Sequence, residues 1–194
     1  MPEAMRILRD ELPNIDVLIS SQPSPELARD LVRGKVDVAF LRPELEMPDL
    51  TYKVLTTEPL VVVLPSDHRL AAQEAIALQD LASETFVKVS NTAPVLRKVI
   101  DDFLKAAGVV LAEDHRADNL AMAISLVAST RGVALLPLYA RNFLPWSVIS
   151  RPLQGAAPTI DLVLGYRGAN TSPLLKLFLS RADELIARVL RNEP

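Results

Sequence analysis

Arg42 is the side chain whose position promises chemistry. It follows a nearly continuous apolar run, Val36 to Leu41, and precedes Pro43. Such a run forms one strand buried on both faces. Pro43 cannot donate to a sheet ladder, so the strand stops and delivers a guanidinium at its C-terminal edge. In open α/β sheets that edge is where ligands sit. Three polar stretches offer further groups: Ser21-Gln22-Pro23-Ser24, Ser90-Asn91-Thr92-Ala93 and Asp118-Asn119. Each leads into a helix, whose free N–H groups and partial positive charge favour anions. Together with Arg42 they predict a small anionic ligand. The same residue types also serve ordinary capping, and a strand-end arginine also serves as an ion-pair partner.

Other chemistry finds little support. There are two histidines and no cysteine, so disulfides and thiol chemistry are excluded. His68 follows a Pro-Ser-Asp turn and His115 lies between Asp114 and Arg116. Neither has metal-ligand spacing, and both are expected to be exposed. No nucleophile elbow, P-loop or dinucleotide fingerprint occurs. Gly165-Tyr166-Arg167-Gly168 is too short a match and reads as a strand end. Glu44, Glu46 and Asp49 fall in a proline-broken loop and read as solvated surface. No catalytic residue, metal ligand or cofactor is therefore expected.

The elements that must position Arg42 and the loops follow from periodicity. Residues 3–12 predict a helix with Met5, Leu8 and Leu12 on one face, and 15–20 a strand. Ser24 is the expected N-cap of the next helix, with Pro25 at its first position. It runs to Arg33-Gly34, before the strand 36–41. Strands are expected at 51–55 and 60–64, separated by Thr56-Thr57-Glu58-Pro59, and a short helix at 77–82. A strand at 85–89, a helix at 94–107 closed by Gly108, and a short strand near 109–114 come next. Asp118-Asn119 cap a helix at 119–129. Arg131-Gly132 then lead into a strand at 132–136, repeating the helix–glycine–strand–proline order of 31–43. A short helix at 138–143, strands at 148–151 and 160–166, and a helix from Ser172 to about Arg191 complete the chain. Strand and helix alternate throughout, so the class is α/β, with mainly parallel sheets and two similar lobes.

The chain has 194 residues, 49% of them hydrophobic, enough for a core of one domain or two small lobes. Its net charge of −3 lacks the basic footprint of a nucleic-acid binder. No apolar run reaches the roughly 18–20 residues of a membrane span. The first ten residues carry Glu3, Arg6, Arg9 and Asp10 and no apolar signal core, which points to a cytoplasmic protein.

The order of these pieces resembles the effector-binding domain of LysR-type transcriptional regulators. The residues that carry the likeness are the opening helix Leu8 to Pro13, and Leu31 to Pro43 with its Gly-x-Val-Asp-Val-Ala core. Glu58-Pro59-Leu60-Val61-Val62-Val63-Leu64-Pro65 followed by His68 continue it, as do Leu78-Gln79-Asp80-Leu81 and Leu126-Val127-Ala128. Gly132 to Pro137 and Ser172-Pro173 complete it. The resemblance implies two Rossmann-like lobes of the type II periplasmic-binding-protein kind, joined by two crossover strands. Lobe one is then 1–58 plus 159–194, and lobe two 59–158. A small, anionic effector would occupy the cleft, at Gln22, Pro23, Ser24, Arg42, Ser90, Asn91, Thr92, Asn119 and Leu120. Where the family often has a Ser or Thr whose hydroxyl meets the ligand, this chain has Pro23, so that bond falls to Gln22 or Ser24.

Two departures stand out. The family's winged helix-turn-helix is absent, so DNA is expected as a partner only through a domain outside this chain. The family's first strand is also absent, which marks the chain as a fragment or its start as late, and leaves strands 15–20 and 36–41 short of a neighbour. The implied assembly is a homodimer or homotetramer. A transporter's solute-binding protein shares the fold and is the alternative. An enzyme on the same scaffold would need the catalytic cluster that the sequence lacks.

Overall fold

The computed structural model describes residues 16–44 and 47–181. The expected helix at 3–12 and the end of the last helix lie outside them. One strand ties the molecule together. It is β2, Leu50–Pro65, flanked in sequence by β1 at Ala39–Leu41. Sequence punctuation predicts two strands here, with a turn at Thr56 to Pro59. The strand instead runs unbroken for 16 residues, with a register shift between Val54 and Thr56. Pro59 falls where β2 changes partners. Up to it, β2 pairs antiparallel with β7, Thr159–Arg167, down to Pro59 opposite Thr159. From Leu60 on, β2 is flanked by β5, Ala134–Pro137, and β6, Val148–Pro152, both antiparallel. A proline lacks the ladder donor, and it sits where the ladder itself changes hands.

β1 pairs antiparallel with the far side of β7. β3, Phe86–Val89, and β4, Glu113–Ala117, form the parallel pair. An isolated bridge from Phe86 to Val133 links β3 to the strand leading into β5. The sheets are therefore less parallel than alternation predicts, because β2 and β7 pass through both halves and run against their neighbours. Around the outer part of β2 lies a large core that includes Leu60, Val62, Leu64, Phe86, Leu135 and Ile160. Ala28, Leu31, Ala39, Leu41, Leu50 and Val163 form a separate, smaller core.

The helices fall close to expectation. They are α1 at Ser24–Val32, α2 at Pro94–Ala106, α3 at Leu120–Thr130 and the described part, 173–181, of the last helix. Asn119 caps α3, its side chain accepting from the Met122 N–H at 2.9 Å. Ser24 does not cap α1. Pro23 holds the cap position, and the Ser24 hydroxyl accepts the backbone N–H of Arg42 at 3.1 Å. Residues 16–20 form no strand, and only 39–41 of the expected 36–41 pair. Val17, Leu18 and Ile19 are exposed, Leu18 to 97%. A strand exists only with a neighbour to bond, and among the described residues this stretch has none.

His68 departs from expectation. Its side chain is 7% exposed, and Nε2 lies 3.1 Å from the Glu84 carboxylate. Nδ1 accepts the Leu70 N–H at 3.2 Å and caps a short turn at Arg69–Ala72. The imidazole proton therefore faces Glu84. His115 is half-buried in β4 rather than exposed.

The two glycines of the repeated helix–glycine–strand order do different work. Gly34 takes the left-handed conformation, with φ 68°. At the second site Arg131 takes it, with φ 58°, and Gly132 does not. A Cβ on Gly132 would lie 2.7 Å from the Thr85 carbonyl oxygen, which accepts the Val133 N–H at 2.8 Å. Glycine is needed there for space. Gly132→Ala is accordingly expected to destabilise by about 1–3 kcal/mol in urea denaturation, whereas Arg131→Gly, which relieves a strained φ and loses an exposed pair with Asp67, leaves the midpoint nearly unchanged.

Candidate functional site

A cavity of about 610 Å³ opens between the start of α1 and the ends of β3 and β4. Pro23, Pro25, Glu26 and Arg29 form one wall, and Ser90, Asn91, Thr92, Arg116 and Asp118 the other. Four of the expected site residues, Pro23, Ser90, Asn91 and Thr92, thus come together across some seventy positions of sequence. Ser24 lies between two lining residues with its oxygen turned to Arg42. Gln22 is half-buried beside the same wall. Asn119 and Leu120 do not line the cavity: the first is engaged in capping α3, and the second packs on the large core.

Arg42 is not among the lining residues either. It forms a clasp behind them. The Glu58 carboxylate, on a residue only 8% exposed, accepts Arg42 Nη2 at 2.7 Å on one oxygen and the Tyr139 N–H at 2.8 Å on the other. A buried carboxylate is tolerated when its oxygens are satisfied in this way. The Arg42 guanidinium also lies 5.5 Å from the centre of the Tyr139 ring, within cation–π range. The end of β1, the middle of β2, the start of α1 and the turn Leu138–Phe143 after β5 meet at these few side chains. Arg42 Nη1 is buried and has no hydrogen-bond partner.

Of the third polar stretch, Asp118 lines the cavity as expected, whereas sequence reasoning missed Glu26, Arg29 and Arg116, which look like solvated helix or strand-end charges. It also missed the role of Glu58, an acid before a proline with no local sign of burial. Glu44 was expected to be solvated, yet one carboxylate oxygen is buried without a partner. Burial pushes its carboxyl above the ordinary value of 4.5, against the pull of Arg29. Among the described residues no group of His, Asp and Glu is placed to hold a metal, and no helix is long and apolar enough to cross a membrane.

The LysR substrate binding domain family matches residues 1–186. The chain belongs to that family. The Hca operon transcriptional activator HcaR of Escherichia coli (strain K12) is 30% identical over 196 residues, covering 97% of this chain and 64% of HcaR. The BenM effector binding domain with its effector benzoate has a TM-score of 0.84 at 19% identity, over 100% of this chain and 89% of that one. The effector binding domain of QuiR in complex with shikimate gives 0.80 at 23%, over 96% of this chain and 90% of that one. These establish the fold of this LysR substrate-binding domain: two Rossmann-like lobes of the periplasmic-binding-protein kind, with β2 and β7 as the crossover strands. The chain spans under two thirds of the first curated relatives it matches, 64, 60 and 62% of their lengths.

Two outcomes follow from the clasp and its neighbour. Glu58→Ala strands a mostly buried guanidinium and is expected to cost about 3 kcal/mol in urea denaturation; Arg42→Leu with Glu58→Leu should cost less than the sum of the single changes, giving a favourable coupling in a double-mutant cycle. Glu44 carries a raised folded-state pKa, so its contribution to stability is full below the ordinary carboxylate value and is lost as pH rises through the folded one. Glu44→Gln should therefore stabilise at neutral pH, by a margin that closes as pH falls below about 4.5 in paired melting curves.

Proposed function

We propose that this chain is the ligand-sensing part of a longer, cytoplasmic transcription regulator, and that it takes a small organic anion in the cavity between its lobes. The observation that carries this is the cavity itself, in which the polar loop Ser90-Asn91-Thr92 faces Arg29 and the first turn of α1. Two solved relatives of the same fold support the chemistry, since the ligands named with them, benzoate and shikimate, are both carboxylates. HcaR, a transcriptional activator, supports the regulatory role, and relatives of that kind favour a sensor over an enzyme.

The lobes are assigned as 1–58 plus 159–194 and 59–158. Two observations support the division: the two hydrophobic cores, and the partner change of β2 at Pro59, opposite Thr159. Pro23, Ser90, Asn91 and Thr92 contact the ligand directly. Gln22 and Ser24 stand behind that wall, Asn119 and Leu120 hold the start of α3 beside it, and Arg42 acts at one remove, through the clasp that holds the head of α1. A ligand touching both walls favours one lobe arrangement over another, and such differential affinity is what shifts a population. DNA contact belongs to a domain outside this chain, in a homodimer or homotetramer.

Thermal melting of the 194-residue chain against matched sets of small carboxylates and primary amines tests this reading. Carboxylates are expected to raise the melting temperature, by an amount equivalent to about 2.7 kcal/mol at a hundred times Kd, and amines to leave it unchanged. Stabilisation by the amines alone overturns the anionic-ligand reading.

A further inference from the structure

The hydrogen bonds of the loop 90–92 fix which of its groups can still give a proton to a ligand. Thr92 Oγ1 lies 2.7 Å from the Asp118 carbonyl oxygen. A carbonyl only accepts, so the Thr92 proton goes there. Ser90 Oγ lies 2.9 Å from Thr92 Oγ1. With the Thr92 proton already given, Ser90 must be the donor of that pair. Ser90 Oγ also accepts the Thr92 N–H at 3.2 Å. Both hydroxyl protons are thus spent within the protein, and neither side chain can donate to a ligand.

Asn91 is different. Its Oδ1 accepts from Arg97 Nη1 at 2.6 Å. A guanidinium has no acceptor, so the oxygen end of the amide must face Arg97. The NH2 end is left with two protons to give. Arg97 is itself held: Nε lies 3.5 Å from Asp101 Oδ2, one helical turn along α2. Asp101 Oδ1 in turn lies 3.1 Å from the ammonium of Lys88, a β3 residue only 9% exposed. A chain of alternating charge therefore runs from the sheet through α2 to a residue that lines the cavity.

The charges of the cavity wall sharpen the point. The formal charges of Glu26 and Asp118 balance those of Arg29 and Arg116, so net charge alone gives an anion no advantage there. Beyond the helix starts, a directed side-chain donor is what can tell one acid from another. We propose that Asn91 reads the acid group of the ligand as its hydrogen-bond donor, and that Arg97, backed by Asp101 and Lys88, is a positioning residue that sets the Asn91 amide with its NH2 toward the cavity. This rests on the anionic-ligand reading and assigns the selective contact within it.

The test titrates benzoate and shikimate into the unaltered chain and into Arg97→Met, Arg97→Lys and Asn91→Asp, following affinity and the Asn91 side-chain NH2 signals by NMR. In the unaltered chain, a probe should move those signals. Arg97→Met should weaken binding about tenfold or more, and Arg97→Lys, which can still donate to Oδ1, should recover most of the loss. Asn91→Asp puts an acceptor where the donor stood and should abolish binding; Asn91 is exposed, so this variant reports even where Arg97→Met fails to fold. Binding to Arg97→Met at unaltered affinity, or Asn91 NH2 signals that stay still while the backbone of residues 90–92 moves, overturns this assignment and leaves the anionic-ligand reading standing. If neither probe moves any residue of the cavity wall, the anionic-ligand reading falls and takes this assignment with it.

Discussion

Glu58 is the constraint around which the described structure closes. A carboxylate that is nearly out of solvent must be satisfied on both oxygens, and the two donors that satisfy it come from opposite directions in the chain. Arg42 reaches it from the end of β1, and the Tyr139 N–H from the turn after β5. The interaction is charge-assisted on one side and uses a fixed backbone group on the other, so it sets position as well as energy. Arg42 then carries the order outward: its N–H fixes Ser24 at the head of α1, and its guanidinium covers the Tyr139 ring. The wall formed by α1 is thereby referred to the same carboxylate as the turn beyond β5.

That arrangement explains which features could be read from the sequence. The strand ending at Arg42 was legible, because an apolar run stopped by a proline is a local signal. So were the loops at 21–24 and 90–92, since polar residues before amphipathic helices announce a helix start. Glu58 carried no local signal, because its burial is decided by residues 16 and 81 positions away. Of the charged members of the cavity wall, Asp118 was announced by its helix start, and Glu26, Arg29 and Arg116 were illegible for the same reason as Glu58. Glu26 and Arg29 look like the outer face of a surface helix until a loop more than sixty residues later is brought against them.

The errors in secondary structure have a common cause, which is that strands are defined by neighbours. Thr56-Thr57-Glu58-Pro59 has the composition of a turn, yet it continues a strand because β7 lies alongside and hands over to β5 and β6 at Pro59. Asp16 to Ser20 has the composition of a strand, yet no described neighbour pairs with it and its apolar side chains stand in solvent. Composition records what a segment can do, and the ladder decides. Gly132 shows the same limit at a single position. The glycine sits where a helix–strand junction invites one, but the left-handed residue is Arg131, and Gly132 answers to the Thr85 carbonyl from a different strand.

The cavity joins these themes. Its two walls belong to different cores, and the covalent chain links those cores through β2 and β7, with the Glu58 clasp beside the crossing. A wall of balanced formal charge, Glu26 and Asp118 with Arg29 and Arg116, has little reason to favour one small ion over another at long range, where salt screens the field that remains. Discrimination in such a site is a short-range matter of which atoms have protons left to give and which have lone pairs left to offer. The loop Ser90-Asn91-Thr92 has settled that question internally, by spending its hydroxyl protons on Thr92 and Asp118 and turning one amide by means of Arg97. On the proposed reading, the same loop that recognises the ligand is anchored to β3 through Lys88 and Asp101, so the contact that selects the ligand is referred to the sheet of one lobe, as the α1 wall is referred to Glu58.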